Sequence, residues 1–216
     1  LLQDDQLAIE EKGIYSIEKF IVARRLMYWQ VYLHKTVVGA ERLLISILKR
    51  AGELVRSGQH LFATPALDLF LRNSFTLDDF RERPDLLDAF AELDDSDITT
   101  AVKIWSKGPD YILRELCFRL VNRRLFKIVL RKDPFSESEI REISERIRDR
   151  FSVDERDMHY FLETGSIVNN AYNSSSDKIN IILKDGTVKD IAEAADTLNI
   201  KELSTTVEKH YLLFPK

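Results

Sequence analysis

The chain has 216 residues, with 32 lysines and arginines against 36 aspartates and glutamates, which gives a net charge of −4. This balance excludes the strong basic excess typical of nucleic-acid-binding proteins. The single cysteine, Cys117, excludes an internal disulfide and any zinc site built from several cysteines. No apolar run reaches the ~18 residues that a membrane span needs. We therefore expect a cytoplasmic protein in which Cys117 packs as an inert core residue.

The first elements in chain order are a hairpin and a long helix. Leucines and Ile9 flank the polar turn Asp4-Asp5-Gln6, which predicts a short β-hairpin that ends at Gly13. Ser16 is then a predicted N-cap. Apolar residues recur at helical spacing without a proline, which predicts one helix over residues 16–57, about 60 Å long. Gly58 is its predicted C-cap.

Shorter elements follow. Prolines and capping patterns predict helices over 65–72, 76–83, 84–93, 94–105, 110–123, 136–151 and 188–198. Pro109 suits the first turn of the helix at 110–123. Strands are predicted over 125–130, 159–168, 179–183 and 207–214, with a loop at 169–176. The predicted fold is mainly α, with a helical body in residues 1–132 and a small α+β lobe in residues 133–216.

No complete catalytic apparatus is visible in the sequence. The four histidines form neither an H-E-x-x-H motif nor a His-Asp pair. The acidic run at 94–97 lacks the glycine and the distal glutamate of a calcium-binding loop, so helix capping explains it better. We predict neither catalytic residues nor metal ligands in this chain.

The stretch from Tyr15 to Lys35 is rich in polar and aromatic residues. At about 100° per residue, Arg24, Tyr28 and Lys35 share one stripe of the predicted helix, whereas Tyr32 and His34 lie on opposite flanks. Phosphate groups would satisfy Arg24 and Lys35, and a tyrosine ring can pack on a sugar. Internal ion pairs with aromatic core packing are the alternative.

Three segments resemble one known family. Residues 11–37, EKGIYSIEKFIVARRLMYWQVYLHKTV, residues 123–129, RRLFKIV, and the tail at 211–216 resemble bacterial HD-domain phosphohydrolases. That family is related to the deoxynucleoside triphosphate triphosphohydrolases, including the sterile-alpha-motif/HD enzyme. The resemblance implies a helical HD core with a smaller α+β lobe. It also implies hydrolysis of a nucleotide to nucleoside and triphosphate with a divalent metal (Mn, Mg, Fe or Zn) held by His, His-Asp and Asp.

The resemblance also assigns roles to residues. It implies that Arg24 holds a substrate phosphate and that Tyr32 stacks beneath the sugar, while Tyr28 stands where relatives carry histidine. It implies effector contacts by His34, Lys35, Arg123 and Lys127. A nucleotide substrate, a nucleotide effector and a homo-oligomer, either dimer or tetramer, are the expected partners.

The sequence departs from the family because it has no His-Asp motif, and the family's metal ligands precede the helix that carries Arg24. We therefore expect a fragment that binds no metal and is inactive without its metal-bearing half. Two alternatives stay open. One is a non-catalytic nucleotide-sensing or oligomerisation module. The other is a structural helical domain in which Arg24 is paired internally.

Overall fold

Helices dominate the computed structural model, which describes residues 2–3, 6–169, 172, 178–195 and 206–216. The helices are α1 (Ile14–Met27), α2 (Lys35–Arg56), α3 (Pro65–Arg72), α4 (Leu77–Glu82), α5 (Pro84–Glu92), α6 (Asp95–Trp105), α7 (Tyr111–Val121), α8 (Glu137–Phe151) and α9 (Ile191–Ala194). The strands are β1 (Leu2–Gln3), β2 (Gln6–Glu10), β3 (Lys127–Arg131), β4 (Glu163–Asn169), β5 (Asn180–Ile182), β6 (Val188–Asp190) and β7 (Val207–Phe214). The predicted class, mainly α with a small α+β part, is confirmed.

Local capping chemistry sets the helix starts. Reciprocal capping boxes open α4, α6 and α8, as the sequence predicts; they pair Thr76 with Asp79, Asp94 with Asp97 and Ser136 with Glu139. Asp110 caps α7 by accepting a hydrogen bond from the Leu113 N–H at 2.7 Å. Pro109 therefore lies before the cap and not in the first turn, which corrects the prediction.

The predicted continuous helix over 16–57 is interrupted. A 3₁₀ turn, Glu11–Gly13, leads into α1 at Ile14, so Ser16 lies within α1 and is not its cap. A π-helix, Tyr28–Tyr32, follows α1, and the Leu33 N–H donates to the Tyr28 carbonyl at 2.7 Å. His34 then starts α2 anew, because its Nδ1 accepts a hydrogen bond from the Thr36 N–H at 3.2 Å, as an N-cap side chain does.

The end of α2 matches the prediction. Gly58 has φ of +90°, and its N–H donates to the Val55 carbonyl at 3.0 Å. The Gln59 N–H donates to the Leu54 carbonyl at 3.0 Å. This pair of hydrogen bonds is a Schellman motif, in which the glycine takes the left-handed position.

Two sheets complete the fold. The first has the order β1-β2-β5-β6, in which β1 and β2 form the predicted antiparallel hairpin. Gln6 of the predicted turn begins β2 instead, opposite Gln3, and Asp4 and Asp5 lie outside the described residues. Strand β2 pairs in parallel with the distant β5, with Ile9 opposite Ile181. The second sheet has the order β3-β7-β4.

Two predicted elements in the C-terminal part are wrong. Residues 188–198 are not one helix, because Val188–Asp190 pairs with β5 across a turn at Gly186 (φ of +82°) and only Ile191–Ala194 is helical. Residues 196–200 lie outside the described part. His159 is not in a strand but in a 3₁₀ helix, Glu155–Tyr160. Most of the predicted loop at 169–176 also lies outside the described residues.

The chain forms two compact units. The first comprises Leu1–Val37, Leu130–Phe135 and Thr164–Tyr211, and its core contains Ile14, Ile21, Tyr172, Ile181 and Ile191. The second comprises Val38–Val129, Ser136–Glu163 and Leu212–Lys216. Its fully buried side chains include Leu43, Ile47, Leu86, Leu116 and Phe161. The division into 1–132 and 133–216 remains a prediction.

Candidate functional site

Arg24, Tyr28 and Tyr32 form a row at the junction of α1 and the π-helix. The Arg24 Cζ lies 5.7 Å from the centroid of the Tyr28 ring, and the Tyr28 and Tyr32 ring centroids are 5.2 Å apart. Arg24 is exposed, Tyr28 half-buried and Tyr32 exposed. The three predicted substrate residues therefore lie side by side in the first unit. Their roles in binding stay predictions.

The guanidinium of Arg24 is available to a ligand. Among the residues that the structure describes, Arg24 forms no ion pair, and its ring contact with Tyr28 is a cation–π contact that leaves hydrogen-bond donors unused. The N–H groups at the edge can still donate two parallel hydrogen bonds to a phosphate. In the described part of the chain, Arg24 therefore does not form the internal ion pair that the structural alternative requires.

His34 and Lys35 lie at the break between the π-helix and α2, and both side chains are exposed. Since Nδ1 of His34 accepts the Thr36 N–H, Nε2 remains as the nitrogen that can meet a ligand. The prediction that Tyr32 and His34 lie on opposite flanks assumed a continuous α-helix with 100° per residue. That geometry fails after Tyr28, because the π-helix turns differently and the helix ends before His34.

Arg123 and Lys127 belong to the second unit, whereas His34 and Lys35 belong to the first. Arg123 follows α7 with φ of +54°, a left-handed conformation that is uncommon for a residue other than glycine. Lys127 begins β3, and its Nζ lies 5.6 Å from the centroid of the Phe214 ring. Both side chains are exposed.

Sequence reasoning missed two sets of contacts. The Lys209 Nζ of β7 lies 4.1 Å from the centroid of the Trp29 ring in the π-helix, a pairing of distant residues that no local pattern signals. Arg146 and Arg150 line a pocket together with Lys127. The alternating charges of α8 predicted a solvated face, yet the spacing of these arginines beside Ile143 and Ile147 was a signal available in the sequence.

The described residues do not form a metal site. No group of three or more His, Cys, Asp or Glu side chains in the described part of the chain converges to hold a metal ion. Asp94 and Asp97, in the acidic run, bond to each other's backbone N–H groups, so this run caps α6 as predicted. In the same part of the chain, no helix is both long and apolar enough to cross a membrane.

A family model and several known proteins are similar to this chain. Residues 1–64 match the model of the HD associated region. The crystal structure of a phosphohydrolase from Bacteroides thetaiotaomicron is 49% identical to the chain, with a TM-score of 0.90 over 100% of this chain and 53% of that one. The chain thus spans about half the length of that protein.

Two further proteins are similar. Uncharacterized protein YwfO of Bacillus subtilis (strain 168) is 34% identical over 129 residues, which are 59% of this chain and 27% of that protein. A hypothetical protein from Aquifex aeolicus shares the fold, with 16% identity and a TM-score of 0.55 over 99% of this chain and 45% of its own. The chain is thus similar to the HD associated region over residues 1–64 and to the Bacteroides phosphohydrolase over its whole length.

Proposed function

We propose that this chain is part of a metal-dependent HD-type phosphohydrolase that acts on (deoxy)nucleoside triphosphates. In this proposal the chain supplies contacts to the substrate and to an effector, and the parent protein supplies the metal. The match of residues 1–64 to the HD associated region and the similarity to a phosphohydrolase support the general class. The nucleotide substrate is a further proposal that goes beyond this general class.

The row formed by Arg24, Tyr28 and Tyr32 carries the nucleotide proposal. It combines a cation without an ion pair in the described part of the chain with two tyrosine rings in contact. A nucleoside triphosphate offers matching groups in the same order, since its charged phosphates are joined to a sugar that carries a flat base. Arg24 donates to phosphate oxygens, and Tyr32 offers its ring to the sugar. Tyr28 lies between the two and contacts both side chains.

The metal belongs to the proposal but not to these residues. A divalent ion (Mn, Mg, Fe or Zn) would neutralise phosphate charge and activate water in such an enzyme. The described residues offer no cluster that fits it. In this proposal, another part of the parent protein holds the metal, and the chain by itself is inactive.

The effector part of the proposal involves His34, Lys35, Arg123 and Lys127. All four are exposed polar or cationic side chains that can meet a nucleotide phosphate. An effector of this kind would act on a homo-oligomer, which we propose to be a dimer or tetramer. Nucleotide-dependent changes of mass in light scattering test this part.

Hydrolysis by the parent protein tests the main proposal. The protein that contains this chain is incubated with Mn²⁺ or Mg²⁺ and each dNTP, and chromatography separates nucleoside and triphosphate from the substrate. We expect release of both products, and a much slower reaction in Arg24→Ala. Lys19→Ala is a matched control, because Lys19 is an exposed cation on the same helix. Failure to hydrolyse any nucleotide would contradict the proposal.

One observation favours a non-catalytic oligomerisation or nucleotide-sensing module as the second candidate. Helix α1 leaves several large apolar side chains exposed, with 55% of Tyr15, 56% of Phe20 and 51% of Leu26 accessible. Such side chains mark interaction surfaces when they form a contiguous patch. A parent protein that changes its mass with nucleotide but hydrolyses none would support this candidate instead.

A further inference from the structure

A pocket of about 420 Å³ on the second unit has a cationic rim. Four cationic side chains line it: Lys127 of β3, Arg146 and Arg150 of α8, and Lys216. Phe151 and Phe214 are part of its apolar floor. In the part of the chain that the structure describes, no acidic side chain lines this pocket, although the chain as a whole is acidic.

The side chains of α8 that line the pocket share one face of the helix. At about 100° per residue, they fall within one stripe about 140° wide. Arg146 and Arg150 are like charges one turn apart in this stripe, an arrangement that by itself destabilises a helix. Glu142 and Asp149 are spaced to reach Arg146, but neither forms an ion pair with it in the described part of the chain.

Three of the four cations in the pocket have no ionic partner in the described part of the chain. Lys127, Arg146 and Arg150 form no ion pair with any described residue. Lys127 lies over the ring of Phe214, and the Cζ of Arg150 lies 5.4 Å from the centroid of the Phe151 ring. By contrast, Arg148 on the same helix is paired with Glu155. A bound anion would supply the missing counter-charge at the pocket.

We propose that this pocket binds a small molecule through a chain of two or more phosphates. Its volume lies within the range of small-molecule sites, which is about 300–1,000 Å³. Several cations in so small a space match the several charges of a polyphosphate better than the single charge of a carboxylate. Binding here does not depend on the proposed hydrolysis, and it gives Lys127 a site together with Arg146 and Arg150.

Calorimetry with the whole protein and inorganic tripolyphosphate tests the inference. We expect binding that weakens about tenfold in Arg146→Ala and in Arg150→Ala, since each loses a charge-assisted hydrogen bond. Affinity should also fall as salt concentration rises. Arg141→Ala is the matched control: Arg141 is an exposed arginine of α8 outside the pocket lining, and its loss should leave affinity unchanged.

Competition by dATP then identifies the source of the phosphates. Displacement of tripolyphosphate by dATP supports a nucleotide as the ligand, whereas lack of displacement supports a polyphosphate without a nucleoside. Thermal melts of each variant confirm that the fold is intact, and Arg146→Lys should retain part of the affinity. The inference is overturned if tripolyphosphate does not bind, or if the Arg146→Ala/Arg150→Ala double variant binds it as tightly as the wild type.

Discussion

Arg50 and Asp110 form a two-pronged ion pair that ties α2 to the start of α7. The Arg50 Nε donates to Oδ1 of Asp110 at 3.2 Å, and Nη2 donates to Oδ2 at 2.7 Å. Oδ1 also accepts the Leu113 N–H, so one carboxylate both pairs with the arginine and caps the helix. Arg50 Nη1 reaches Asp157 at 3.3 Å as well. Both paired side chains are largely buried, with 18% and 15% exposed.

Removing this carboxylate should destabilise the protein. We expect Asp110→Ala to lower the free energy of unfolding by about 2–4 kcal/mol, because it removes the cap of α7 and the two-pronged partner of Arg50, whose remaining contact with Asp157 is longer. Asp110→Asn should cost less, since an amide oxygen still caps α7. Urea unfolding measures both. Arg81→Ala is the control, because its ion pair with Asp78 is exposed and should contribute less than about 1 kcal/mol. Equal losses in Asp110→Ala and Arg81→Ala would refute this role of the pair.

The same ion pair predicts that the stability of the protein depends on pH. Burial would by itself raise the pKa of Asp110, but the hydrogen bonds from Arg50 and the Leu113 N–H lower it below the usual aspartate value of 3.8. A lowered folded-state pKa means that the unfolded chain binds the proton first. The stabilisation is therefore complete above about pH 4 and is lost as the pH falls through the folded pKa. Unfolding free energies between pH 2 and pH 7 should decline less steeply in Asp110→Asn than in the wild type.

Two glycines of the α2 region should respond to alanine with opposite signs. Gly58 has φ of +90°, so Gly58→Ala should cost about 1 kcal/mol, and Gly58→Asn should cost less. Gly39 lies inside α2, where an added Cβ would meet the Phe126 carbonyl oxygen at 3.7 Å and Leu213 Cδ1 at 3.8 Å, both ordinary contacts. Gly39→Ala should therefore stabilise the protein by about 0.5–1 kcal/mol. Thermal melts of the three variants give their order of stability.

Cys117 should be unreactive in the folded protein. Its side chain is buried in α7, and burial raises the pKa of its thiol to about 12. Because the thiolate is the reactive form, iodoacetamide at pH 8 should not modify the native protein, whereas the urea-unfolded chain should react with one equivalent. Mass spectrometry counts the modified thiols. Rapid modification under native conditions would show that Cys117 is not part of a closed core.

The sequence predicts local features of this fold better than its long-range contacts. The capping boxes at Thr76, Asp94 and Ser136 were predictable, because each is complete within four residues. The break before α2 was not, since neither glycine nor proline marks it and histidine is not a usual cap. The parallel pairing of β2 with β5 depends on residues at opposite ends of the chain and leaves no local signal.

The same distinction applies to the candidate sites. Arg24, Tyr28 and Tyr32 lie within two turns of a predicted helix, so helical spacing alone predicts that Arg24 and Tyr28 are neighbours. The phosphate pocket instead combines β3, α8 and the end of the chain. Each of its cations looks like a solvated surface charge in its own segment. Only the fold brings Lys127 to Arg146 and Arg150.

Replacement of Arg24 should separate a binding role from a structural one. We expect Arg24→Ala in the parent protein to weaken nucleotide binding about tenfold, because a charge-assisted hydrogen bond to phosphate is lost. Its melting temperature should stay close to that of the wild type, since Arg24 is exposed and has no ion pair in the described part of the chain. Lys19→Ala should change neither quantity. If Arg24 were instead half of a buried pair, its loss would cost about 3–5 kcal/mol and leave binding by the folded fraction intact. Nucleotide titrations and thermal melts on the same preparations decide between these outcomes.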